Sequence, residues 1–99
     1  MSNVLYFPER RDGADPEPLW RESVGAELRA QRHGRGERIT DVARRAGIAP
    51  QYLSEVERGR KDPSSEVLAA VAGALEVRLA DLTARAAQRL GSAPTCLAA

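Results

Sequence analysis

The sequence predicts an all-α fold, a bundle of five helices, and three observations predict it. Apolar residues recur every three or four positions instead of alternating, which is the period of a helix face and not of a strand. Glycines at 34, 36, 47, 59 and 91 punctuate those stretches at helical lengths. The 99 residues hold few aromatics beside abundant Ala, Leu and Val, so one modest core of aliphatic helix faces is what the chain can build. No segment repeats.

Residues 1–17, rich in proline and mixed charge, read as a flexible tail. Its Val4-Leu5-Tyr6-Phe7 run is either a frayed end or a docking segment, and is too short for a signal peptide or a membrane span. The folded body spans 18–90. Pro18 suits a first helical position, where its missing N–H costs nothing, and Trp20, Val24, Leu28 and Arg32 then share one face. Gly34 and Gly36 end this first helix. The second has Ile39, Val42, Ala43 and Ala46 as its apolar side and closes at Gly47. Pro50 opens the third, with Leu53 and Val56 inward and Gly59 just past its end. Ser64 caps the fourth, a contribution of about 1 kcal/mol, and Val67, Leu68, Val71, Ala72 and Leu75 face inward. The fifth starts near Leu79, carries Leu82, Ala86 and Leu90 on one side, and stops at Gly91 and Pro94, leaving 91–99 as a second tail.

The net charge of +1 conceals an uneven distribution. Arg29 to Lys61 holds nine basic and four acidic residues, while the rest of the chain holds six and ten. A basic middle suits a single phosphate-facing surface, and equally a solvated face. Catalysis has little to stand on. The one histidine, His33, lies at a helix end between arginine and glycine, a surface residue within reach of a phosphate. Cys96 is a lone cysteine, so neither an internal disulfide nor a cysteine metal cluster is available. Gly34-Arg35-Gly36 is a lone loop signal and not a phosphate loop. No catalytic residue, metal or cofactor is expected, and the default compartment is the cytoplasm.

Helices two and three are short and separated by three residues around a glycine. That forces a sharp crossing instead of an antiparallel hairpin, with Ala43, Gly47, Ile48, Leu53 and Val56 where a helix-turn-helix needs small or apolar residues. The segment ITDVARRAGIAPQYLSEVERGRKDPSSEVLAAVAGALEV resembles the helix-turn-helix domain of the Xre family, the Cro and repressor type. The features that carry the resemblance are Ala43 and Gly47, Tyr52-Leu53-Ser54, Glu57-Arg58-Gly59, Pro63-Ser64 and Ala74-Leu75, within coverage from about Leu28 to Leu82. YLSEVERGRKDPSSE is further similar to the actinobacterial Clp-gene regulators.

The resemblance implies a transcriptional regulator that binds double-stranded DNA, with the helix-turn-helix proper at about 39–58 and residues 50–58 as the recognition helix in the major groove. Pro50, Gln51, Tyr52 and Glu55 then face the bases. Gln51 has the bidentate amide for adenine and Glu55 an acceptor for cytosine N4, while Tyr52 either touches a thymine methyl or a phosphate, or packs against helix two. Arg58, Arg60 and Lys61 lie where the chain passes the sugar–phosphate backbone; otherwise they solvate a loop or favour a helix C-terminus. Arg32 on helix one is expected to pair with Glu57. Two departures stand out. Arg38 and Ala49 occupy the usual Ser or Thr cap positions, so Thr40 is expected to cap helix two and shift its start, and Glu76 replaces a turn glycine.

A homodimer on an inverted-repeat operator is expected, its face the Leu79, Leu82, Ala86 and Leu90 stripe unless that stripe only closes the chain's own core. Leu97-Ala98-Ala99 resembles the tag that directs stalled products to Clp protease, which makes that protease a candidate partner, against the alternative of an alanine-rich tail. Antitoxin and protein-binding adaptor remain alternatives to the regulator.

Overall fold

A computed structural model describes residues 19–91; Pro18, the N-terminal tail and the candidate degron at 97–99 lie outside them. Five helices follow in order: α1 (Trp20–Arg35), α2 (Ile39–Ala46), α3 (Pro50–Glu57), α4 (Ser65–Ala74) and α5 (Leu79–Leu90). No strand occurs among the described residues. α1 packs on both α5 and α3, α2 on α4 and α3, and α4 on α5.

The apolar stripes meet in one aliphatic core. Val24 and Leu28 of α1, Val42 and Ala43 of α2, Leu53 and Val56 of α3, Val71 and Leu75 from α4 and its cap, and Leu82 and Ala86 of α5 are all buried. Trp20 is not among them. Its side of α1 runs past the end of the core, and the residue is 40% exposed. Arg32, at the other end of the same stripe, is half-buried and held by an ion pair.

Local chemistry explains the boundaries. α1 runs through Gly34 and ends only at Gly36, and its start is capped from within, the Leu19 N–H donating to Glu22 Oε1 at 2.9 Å. Thr40 does not cap α2. The helix begins at Ile39 because Asp41 Oδ2 accepts the Arg38 N–H, which lets an arginine occupy the cap position without a capping side chain of its own. Ala49 makes no cap bond and Pro50 follows at the first position of α3, removing one orphan donor. α3 stops at Glu57, with Arg58 as its cap residue. Ser64 Oγ accepts the Val67 N–H at 3.1 Å and starts α4. α4 closes with Glu76 in the left-handed region, φ 60°, where glycine would carry no steric penalty.

The α5 stripe divides. Leu82 and Ala86 are 1% and 0% exposed inside the chain's own core, so they offer nothing to a partner; Leu79 is exposed and Leu90 half-buried. Arg45 ties α2 to the end of α4, donating from Nε and Nη2 to the Ala74 carbonyl at 3.2 and 2.9 Å and from Nη2 to Glu37 at 2.6 Å.

Candidate nucleic-acid interface

The turn between α2 and α3 sets the crossing. Gly47 adopts φ 76°, its N–H donates to the Arg44 carbonyl at 3.1 Å, and the Ile48 N–H reaches back to Ala43 at 3.0 Å. Leu53 and Val56 on α3 then point into the core, which turns the opposite side of the helix outward. Pro50 and Gln51 are exposed there. Glu55 is half-buried. Tyr52 is also half-buried and packs against the core, so only part of its ring faces out.

The chain beyond α3 is strongly basic. Arg58, Arg60 and Lys61 are exposed, and none has a side-chain hydrogen bond or ion pair among the described residues. Gly59 between them is buried, in the left-handed conformation at φ 75°, its N–H on the Val56 carbonyl at 3.0 Å. A Cβ there would lie 2.8 Å from Cγ and 3.0 Å from Cα of Glu22, so α1 crosses directly against this turn. Arg21 of α1 donates from Nε to the Gly59 carbonyl at 2.9 Å.

On its inner side α3 ends in a paired charge. Arg32 Nε and Nη2 each donate to a Glu57 carboxylate oxygen at 2.8 Å, and Nη1 donates to the Glu37 carbonyl at 3.0 Å. The side chains are 13% and 6% exposed. The hydrogen bonds to Glu57 raise the Arg32 pKa against desolvation, which lowers it, and Coulombic attraction adds to the rise. The backbones approach equally closely: a Cβ on Gly25 would strike the Val56 carbonyl oxygen and stand 2.7 Å from that of Glu57. Nearby, Glu37 is held below its ordinary value of 4.5, first by the hydrogen bond from Arg45 and then by that from Arg35.

A cleft of 240 Å³ opens beside the pair, lined by Arg29, Arg32, Ile39, Ser54, Glu57 and Arg58. The sequence reading missed Arg29 and Arg21. Arg29 was legible, since it stands three residues before Arg32 and so beside it on α1. Arg21 was not, because its partner is a backbone carbonyl 38 residues away. The described residues contain no cluster of His, Cys, Asp and Glu that could hold a metal.

This arrangement of two short helices crossing at a left-handed glycine matches a helix-turn-helix family model over residues 28–82. The chain belongs to the helix-turn-helix family. The relatives this member resembles carry regulator names. Transcriptional regulator ClgR of Mycobacterium tuberculosis is 43% identical over 72 residues, covering 73% of this chain and 64% of the relative. The chain thus spans less than two thirds of that relative's length. The crystal structure of the clp gene regulator ClgR from Corynebacterium glutamicum superposes with a TM-score of 0.75 at 45% identity, covering 84% of this chain and 90% of the other. The restriction-modification controller protein C.Esp1396I, solved as a tetramer on its 35 base-pair operator, shares the fold: TM-score 0.68, 19% identity, with 75% of this chain and 97% of that one covered.

Proposed function

We propose that this helix-turn-helix protein is a sequence-specific transcriptional regulator that inserts α3 into the major groove of double-stranded DNA. The observation that carries the reading is the conjunction at one end of α3. Three cations without a side-chain partner among the described residues, Arg58, Arg60 and Lys61, stand beside a helix face that exposes Pro50 and Gln51 and half-exposes Tyr52 and Glu55. Unpaired cations suit phosphates, and amide and carboxylate groups suit base edges. The domain is residues 18–90, and it works in the cytoplasm, at the nucleoid. Identity of 45% to the clp gene regulator of Corynebacterium glutamicum supports Clp protease genes as its targets.

A single domain covers only a few base pairs, which supports a two-fold dimer on an inverted repeat. With Leu82 and Ala86 already in the core, exposed Leu79 and half-buried Leu90 are what α5 offers a second copy. Sedimentation with and without operator tests this: a chain monomeric in both states rules the dimer out.

Selection of bound duplexes from a random pool tests the reading itself. Wild type should yield an inverted repeat, and Gln51→Ala should relax preference at one base pair per half-site by about 1–3 kcal/mol. A pool that stays random rejects the regulator, and unchanged base preferences in the variant reject the placement of α3.

A further inference from the structure

Arg21 lies in the first turn of α1, on neither the core side nor the outward face of α3, yet it makes a hydrogen bond spanning 38 residues to the Gly59 carbonyl. That carbonyl and the Arg60 N–H belong to one planar peptide unit. The Arg60 N–H is itself held, donating to the Glu55 carbonyl at 3.0 Å. The unit is therefore pinned at both ends, its oxygen by α1 and its nitrogen by α3. Glu22, next to Arg21, presses its Cα and Cγ against Gly59 and is fixed in turn by the Leu19 N–H on Oε1. A buried, doubly held peptide thus sits between two exposed cations, Arg58 and Arg60.

We propose that Arg21 is a positioning residue for the DNA-backbone contact. By holding the Gly59 carbonyl it fixes the direction in which Arg60 and Lys61 leave α3, so their charges meet phosphates without first being ordered. A charge-assisted bond to a guanidinium is of the stronger kind, so the carbonyl is firmly held. The inference rests on the DNA-binding reading above.

The test is a salt series of binding to a random-sequence duplex, using the full chain and its variants. Arg21→Ala should lower affinity about tenfold at 0.1 M salt and flatten the slope of log K against log salt by about 0.9–1.8, the equivalent of one to two phosphate contacts. In an Arg60→Ala, Lys61→Ala background the same change should do nothing further. Arg21→Lys should recover part of the loss, and base preferences on a selected operator should not move. A slope equal to wild type overturns the proposal, whether or not the melting temperature falls. So does an undiminished further loss in the Arg60→Ala, Lys61→Ala background, which would make Arg21 itself a phosphate ligand. A wild-type chain that binds no duplex at low salt removes the DNA-binding reading and this inference together, whereas salt-dependent wild-type binding with an inert Arg21→Ala removes this inference alone.

Discussion

Towards α1, the end of α3 presents Glu57, gripped by two nitrogens of Arg32 at 2.8 Å and almost fully buried. A few residues further on, Arg58, Arg60 and Lys61 stand exposed with no side-chain partner among the described residues. The same few residues hold charge that is spent on the fold and charge that is left over. A satisfied buried pair resists change because removing either partner strands the other, whereas an unpaired surface charge can be lost with little effect on folding. What sets these two kinds of charge apart is the missing partner, not residue type.

The largest effects should fall on the inner side. Arg32→Met or Glu57→Gln alone should cost about 3 kcal/mol in chemical denaturation, and the double variant less than the sum of the two. Strict additivity would show that the pair contributes no coupling and would blur the distinction. Gly25→Ala comes next, at about 2 kcal/mol, because its Cβ meets backbone carbonyls that cannot swing aside. On the outer side, Arg60→Ala and Lys61→Ala should each stay within about 0.5 kcal/mol of wild-type stability. Each should nonetheless flatten the salt dependence of DNA binding by about 0.9. Loss of stability comparable to the Arg32 variant would mean that these charges are structural after all.

The smallest effect sharpens the comparison at its border, where Glu37 sits half-buried among Arg35 and Arg45. Its folded pKa is depressed, so it stabilises the fold above its ordinary value of 4.5, and that contribution is lost as pH falls through the lower folded value. Glu37→Gln should therefore make the acid side of the stability profile shallower while leaving the inner pair untouched. Unchanged acid sensitivity would assign the titration elsewhere.

Much of this was readable in the chain because it is local. Helix number, the turn at Gly47 and the Ser64 cap all follow from neighbours within a turn of each other, whereas Glu76 in place of a turn glycine was visible only through the family resemblance. Thr40 misled because side-chain capping strength was weighed without Asp41, whose carboxylate rescues the Arg38 N–H from three residues away. Trp20 misled because period alone cannot say where a core ends. Among the candidate site residues, the exposure of Gln51 and of the basic turn was legible by type and position. The Arg21 anchor and the cleft beside Arg29 were not, since each depends on how α1 crosses α3 in space.

The lone tryptophan has a practical consequence. Because the core is wholly aliphatic and Trp20 sits half outside it, in the turn of α1 that abuts Gly59, intrinsic fluorescence will follow this protein's melting poorly. The indole instead belongs to the same first turn of α1 as Arg21 and Glu22, which touch Gly59, and its emission should respond when a duplex arrives at the basic turn. Unfolding is better followed through the helices' far-ultraviolet signal, which leaves the tryptophan channel free to time association in stopped flow without any attached dye.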